Sequence, residues 1–389
     1  MRFLTTNSSG KDTFGGIHTR LREHMKYSPE HNFYIIELNE EKKYTPTENG
    51  AIFTLDIPNL LNGDTIYGAL DKSMTFPEFN EKIEPIVNEY QNSIQTVNPD
   101  IITIPGSSLT SYCLYKAAKR ENKLDKTIHN YAGILEKEIG GYRGEPRAIL
   151  SMIGKIFTSP EPLSKVTYIF PSTLTKETIE KEHNVKFTNY HIIPNGISEE
   201  FTNNQIERIS PEELTLGYVG RIHHVKNPRY FLDLSDNLKE KTILKIITDL
   251  RNVHNKTDGP SLLDKLTKGE ILYYHPRNAE KLNKFYRTQI SSLVIPSSFE
   301  TYCNVAMESI ACGTPALLTN RAGATETYQK YGLDDLIFSI TNLDSFETAL
   351  ESIKEREYVI EEKLKKQIQT DLSWEKIIQK YNEIAKNIL

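Results

Sequence analysis

Cysteine is scarce in this chain, with three in 389 residues, at positions 113, 303 and 312. They show no metal-ligand spacing and make no disulfide framework, so a reducing cytoplasmic compartment is expected. Long hydrophobic runs are missing as well. No stretch of about 18 apolar residues occurs, and the N-terminal MRFLTTNSSGKD lacks the apolar core of a secretory signal, so a membrane-spanning chain is not expected. Nor is either sign of charge in large excess. Lys and Arg number 47 against 52 Asp and Glu, for a net charge of −5, and residues 1–195 hold 22 against 24 of them, leaving 25 against 28. Neither half is basic, which argues against wholesale nucleic-acid binding. Repeats and low-complexity tracts are absent. A Gly-x-Gly-x-x-Gly fingerprint would mark a dinucleotide site near the N-terminus. Only Gly10, Gly15 and Gly16 stand there, so a plain NAD oxidoreductase is disfavoured.

What is present begins with length. A chain of 389 residues is too long for one ordinary core and suggests two domains. Short apolar runs alternate with longer amphipathic stretches, the pattern of helices layered on mainly parallel sheets. Strands are expected at 2–5, 33–38, 101–104, 126–129 and 167–170, with helices over 16–27, 76–95 and 108–122. Residues 51–69 fit neither pattern. A break falls at HIIPNGIS, residues 191–198, where Pro194-Asn195-Gly196 is a strong turn signal. After it come strands at 214–219, 242–248, 271–274 and 292–295 and helices over 228–237 and 279–288. The stretch SWEKIIQKYNEIAKNIL, residues 373–389, keeps near-helical apolar spacing and must bury one face.

The most informative segment is VIPSSFETYCNVAMESIACGTPALLT, residues 294–319. It reads as strand, loop, helix and strand, with Gly313 capping the helix and Pro315 preventing its continuation. Glu300 stands at the loop and Glu308 two turns into the helix. First-turn amides near Thr301, Tyr302, Cys303 and Asn304 lack intrahelical partners and carry the positive end of the helix dipole, which suits a phosphate. Carboxylates on either side of a bound diphosphate could accept hydrogen bonds from hydroxyls. A nucleotide sugar has that shape. In YVGRIHHVKNP, residues 218–228, Arg221 and Lys226 lie five apart after an apparent strand, where a planar fork and a point charge can reach one anion.

The two glutamates with seven residues between them, the preceding PSS and the following ACGTP resemble the Glu-x7-Glu signature of family 4 retaining glycosyltransferases. The Arg221/Lys226 spacing is similar to that family's diphosphate grip. The resemblance covers residues 191–330 closely and the first half in outline. It implies an α/β architecture of the GT-B type, two Rossmann-like domains with parallel sheets facing across a cleft. Residues 1–195 would form the acceptor domain, joined by the crossover helix 373–389, and residues 196–372 the nucleotide-sugar domain. The implied activity is retaining and metal-independent transfer of a hexosyl or N-acetylhexosaminyl group. The donor would be a nucleoside diphosphate sugar and the acceptor a glycan, lipid-linked or other glycoconjugate, in cell-surface polysaccharide assembly.

Residue roles follow by the same resemblance. Arg221 and Lys226 would hold the diphosphate, Glu300 the transferred sugar and Glu308 the ribose hydroxyls. The glycine pair Gly15-Gly16 would let backbone approach the donor phosphates. His129 would face the donor sugar, followed by Asn130 where relatives often carry an acid. No cofactor and no metal is expected, because cations and amides would stabilise the leaving diphosphate and no Asp-x-Asp signature stands out. Asp334-Asp335 reads as a capping or solvated pair. The stretches IITDLRNVHNKTDG and ILYYHPRN lack the glycines common near the nucleotide base. A sugar-nucleotide epimerase, a glycan phosphorylase or a non-catalytic nucleotide-sugar binder are the competing readings. One further feature, the basic segment LYKAAKRENKLDK at 114–126, could rest on the inner membrane surface as a peripheral contact.

Overall fold

The computed structural model describes residues 1–7, 16–39, 43–56, 74–134, 137, 145–203, 206–238, 242–250, 253, 256–274 and 278–389. Two compact units divide the chain. One comprises Met1–Ile193 with Glu375–Leu389, the other Pro194–Trp374.

The first unit is built on an eight-stranded sheet in the order β3-β4-β2-β1-β5-β6-β7-β8. Its strands are β1 (Arg2–Asn7), β2 (Asn32–Asn39), β3 (Lys43–Thr47), β4 (Gly50–Asp56), β5 (Ile101–Pro105), β6 (Thr127–Asn130), β7 (Thr167–Phe170) and β8 (Tyr190–Ile192). All neighbours pair in parallel except β3, which returns antiparallel on β4 at the edge. Strands β6 and β7 are buried along their whole length, as expected when helices cover both faces of a parallel sheet. The stretch 51–69 that fitted no pattern begins with β4, and its remainder from 57 lies outside the described residues.

One expected helix is two. Phe76–Lys82 ends at Ile83 and Glu84–Val97 follows directly. Pro85 explains the break: it has no N–H to donate and favours the first turn of a new helix. Thr75 caps the first of the pair in a reciprocal box with Glu78.

In the second unit six parallel strands run β11-β10-β9-β12-β13-β14. They are β9 (Thr215–Val219), β10 (Ile243–Ile247), β11 (Ile271–Tyr273), β12 (Ser292–Ile295), β13 (Ala316–Thr319) and β14 (Ile337–Phe338). The chain builds outward from β9 through β10 to β11, then restarts on the other side of β9 with β12. Strands β9 and β12 are therefore neighbours, with Ser292 opposite Leu216 and Leu293 opposite Gly217. At such a switch point the loops leaving the two strands diverge and open a crevice beyond their carboxyl ends. The loop after β9 carries Arg221 and Lys226. The loop after β12 carries Glu300.

The last helix, Trp374–Ile388, belongs to the first unit from Glu375 onward. Ile377, Ile378, Tyr381 and Ala385 on it are almost fully buried. No described helix is long and apolar enough to cross a membrane. The basic segment at 114–126 makes polar contacts within its own unit. Lys116 and Arg120 pair with Glu84, Lys119 pairs with Glu161, and Lys123 donates to Asn98. These partners come from neighbouring helices and turns, too distant in sequence to be read from the segment itself.

Candidate active site

The loop after β9 and the loop after β12 are bound to each other. Ser298 donates both its amide and its hydroxyl to the carbonyl of Val225, at 2.8 and 3.2 Å, and Asn227 Nδ2 donates to the carbonyl of Pro296 at 3.1 Å. Lys226, one residue beyond Val225, is thereby carried over to Glu300. Its Nζ stands 2.6 Å from Glu300 Oε1. Burial pulls the Lys226 pKa down, but the Glu300 carboxylate more than offsets it and the net direction is up. Arg221 is exposed, and its positive charge is near enough to weigh against a protonated Lys226. Tyr218, buried in β9, donates its hydroxyl to the Arg221 carbonyl at 3.0 Å and fixes the start of the loop.

Glu300 is held from several directions. Its amide donates to the Arg321 carbonyl at 3.1 Å and its own carbonyl accepts from the Gly323 amide at 3.0 Å. Ser297 Oγ donates to Glu300 Oε1 at 2.7 Å, on the same oxygen that Lys226 meets.

The helix expected to open near residue 301 begins at Asn304 and runs to Ala311. Cys303 is its N-cap, in a left-handed conformation at φ 102°, so Thr301, Tyr302 and Cys303 lie outside the helix. The reason lies in packing. Tyr302 is buried with its hydroxyl 3.1 Å from Thr327 Oγ1, and its carbonyl takes the Ala324 amide at 2.8 Å. Turning from that anchored residue into the helix forces the unusual φ. Asn304, first in the helix, accepts a hydrogen bond from Asn195 at 2.8 Å. Glu308 sits one turn further on. Tyr286, fully buried, donates to Glu308 Oε2 at 3.2 Å. Burial pushes the Glu308 carboxyl up to about 7; the tyrosine hydroxyl opposes the shift and Glu200 adds to it.

His129 is the expectation the structure corrects. It stands at the end of β6 but only 1% of its surface is exposed. Its ring lies against Tyr131, Phe157 and Tyr168, at centroid distances of 4.3, 4.6 and 5.8 Å, and Nε2 donates to the Gly106 carbonyl at 2.9 Å. Burial pushes its pKa down to about 3, so it is neutral. An imidazole enclosed this way packs the first domain and presents no face to a sugar. Of the glycine pair, Gly15 lies outside the described residues, and Gly16 opens the helix Gly16–Tyr27.

Asn130, next to His129, does face an opening. A cavity within the first unit lies at the carboxyl ends of β1, β5 and β6, where that sheet also reverses its order; Asn7, Arg20, Thr103, Asn130 and Tyr381 help line it. Arg20 donates to Asn130 Oδ1 at 3.1 Å and Asn130 Nδ2 donates to the Tyr381 hydroxyl at 3.0 Å. Burial pushes the Arg20 pKa down to about 10. Neither the cavity nor the hydroxyls of Ser297 and Tyr286 were anticipated from sequence. Ser297 had a signal, the PSS before the loop; Tyr286 had none. Asp335, of the pair read as capping or solvated, is held by the Arg356 guanidinium at 2.8 Å.

Residues 199–371 match the family described as glycosyl transferases group 1. The structure superposes on sucrose-phosphate synthase from Thermosynechococcus elongatus with a TM-score of 0.74, at 15% identity, covering 100% of this chain and 98% of that one. The fold is GT-B. Both the first-unit cavity and the Lys226–Glu300 pair therefore lie at sheet switch points of a GT-B protein. Among curated proteins the chain is similar to an uncharacterized glycosyltransferase of Methanocaldococcus jannaschii, 22% identical over 187 residues, which is 46% of each chain. It is also similar to the D-inositol 3-phosphate glycosyltransferase of Paenarthrobacter aurescens, 28% identical over 125 residues, 30% of this chain and 29% of that one. The matched region thus spans less than half the length of these curated relatives.

Proposed function

We propose that the protein is a retaining glycosyltransferase that needs no metal ion. It would move a hexosyl or N-acetylhexosaminyl group from a nucleoside diphosphate sugar to a glycan, lipid-linked or other glycoconjugate acceptor, in assembly of a cell-surface polysaccharide. One observation carries this reading: a lysine and a glutamate from the loops after two adjacent strands meet at 2.6 Å, inside the segment that matches group 1 glycosyl transferases.

The chemistry suits the arrangement. As the anomeric carbon becomes oxocarbenium-like, the departing diphosphate gains charge, and fixed positive groups aimed there lower the barrier most. Arg221 and Lys226 supply that charge from one loop, and the start of the helix at Asn304 adds amide dipoles. Glu300 would accept hydrogen bonds from hydroxyls of the transferred sugar, and Glu308 from the ribose. With the phosphates bound, Lys226 would exchange its Glu300 partner for the donor. Retention of configuration rests on the family resemblance. The cavity beside Arg20, Asn130 and Tyr381 is the candidate berth for the acceptor.

A screen of UDP-glucose, UDP-N-acetylglucosamine, GDP-mannose and ADP-glucose by thermal shift tests the reading. A donor at about 100 times its dissociation constant stabilises the fold by about 2.7 kcal/mol. Lys226→Ala should then lower turnover of that donor about a hundredfold, if the ammonium contributes about 3 kcal/mol to the transition state. Excess EDTA should leave the rate unchanged. A wild-type rate in the variant, or loss of activity with chelator, would refute the assignment.

A further inference from the structure

Glu300 can serve the transferred sugar with one oxygen. A carboxylate oxygen offers two lone pairs in its plane. Oε1 has both engaged, one by Lys226 Nζ at 2.6 Å and one by Ser297 Oγ at 2.7 Å. Among the described residues Oε2 accepts no hydrogen bond, so it is the oxygen left for a ligand hydroxyl. The two donors on Oε1 differ in kind. The lysine is a mobile point charge, 27% exposed, that a diphosphate can draw away. Ser297 is 2% exposed, on the loop that directly follows β12, and the next residue, Ser298, is bonded twice to the Val225 carbonyl.

We propose that Ser297 is a positioning residue for the transferred sugar: it locks Glu300 Oε1 and so presents Oε2 to the sugar hydroxyls once Lys226 has moved to the phosphates. The inference rests on the glycosyltransferase reading and deepens it. Rotation of the carboxylate about its terminal bond is soft, because such sp³–sp² torsions have broad wells. With the backbone of Glu300 pinned to Arg321 and Gly323, that rotation is the remaining freedom at the end of the side chain. One directional hydrogen bond removes it.

The test uses the full chain and the donor found among UDP-glucose, UDP-N-acetylglucosamine, GDP-mannose and ADP-glucose. Ser297→Ala should lower kcat for sugar release tenfold or more. Affinity for the matching nucleoside diphosphate, which lacks the sugar, should change less than twofold by calorimetry. A loop that had merely collapsed would weaken both together, and that result overturns the proposal. In a Glu300→Ala background, where no acceptor is left for the Ser297 hydroxyl, adding Ser297→Ala should cost less than twofold; a full tenfold loss there also overturns it. Ser297→Ala with wild-type kcat does the same while leaving the glycosyltransferase reading intact. If the wild-type protein binds and turns over none of the four donors, that reading falls and the role of Ser297 falls with it.

Discussion

At the residue scale, Glu308 makes the sharpest demand on conditions. In the role proposed for it, accepting hydrogen bonds from two ribose hydroxyls, its carboxylate must be ionised, yet burial holds its pKa near 7. Donor affinity should therefore rise as pH increases through 7, with the dissociation constant at pH 6 about tenfold above that at pH 8, one pH unit on each side of the pKa. Calorimetry at the two pH values reads this directly, and Glu308→Gln should abolish the difference. The same shift acts on stability with the opposite sense. The folded carboxyl keeps its proton over a range in which the unfolded one, near 4.5, has lost it. This group therefore destabilises the fold progressively as pH rises from about 4.5 to about 7. A bound donor that draws hydroxyls onto the carboxylate offsets that loss.

At the same scale, sequence and structure part company for a definable reason. That Arg221, Lys226 and Glu300 would stand on loops after strands was legible, because spacing relative to strand ends is local information. At His129 the position in the chain matched a pattern, whereas beyond the nearby Tyr131 its surroundings are Gly106, Phe157 and Tyr168, all distant in sequence. Burial of a polar ring depends on those neighbours, and periodicity over one short strand does not report them.

At the scale of elements, the turn after β8 illustrates a signal read correctly for an incomplete reason. Pro194-Asn195-Gly196 announced a break, and glycine at a turn is usually explained by a left-handed φ. Gly196 has no such φ. A Cβ there would lie 2.5 Å from the ring of Trp374 and 2.9 Å from its Cα. The glycine exists because two segments pass in contact: the Ile197 amide donates to the Leu372 carbonyl at 2.7 Å, beside the first residue of the last helix. Gly196→Ala should cost about 1–3 kcal/mol through overpacking against a buried indole. Urea unfolding of the variant would register this as a lower midpoint with an unchanged slope. The late start of the helix at Asn304 belongs here too. Its apolar positions and its Gly313 cap were readable, but the start depends on Tyr302 docking against Thr327, a contact across a loop.

At the scale of the whole molecule, the alternation of strands and helices was enough to indicate two parallel-sheet domains, because that pattern recurs throughout the chain. What it could not indicate was the edge hairpin of β3 and β4 or the lining of the first-domain cavity. Those depend on which strands become neighbours. The last helix is the clearest long-range debt. Removing residues 375–389 strips Ile377, Ile378, Tyr381 and Ala385 from the first unit, and each buried apolar side chain of this size is worth about 1.5–3 kcal/mol, alanine less. The total is comparable to the ordinary stability of a domain, about 5–15 kcal/mol. The truncated chain should show one cooperative thermal transition where the intact one shows two or a larger one, measured by calorimetry.

Tyr381, bonded to Asn130, is translated some 250 residues after the strand it completes. The middle of the chain, 194–374, has all its parts once residue 374 has emerged. The domain translated first must therefore wait, with a gap where that tyrosine belongs, while the domain translated second can finish folding. A stop codon directly after residue 374 would therefore leave the second unit whole and deprive the first of that tyrosine.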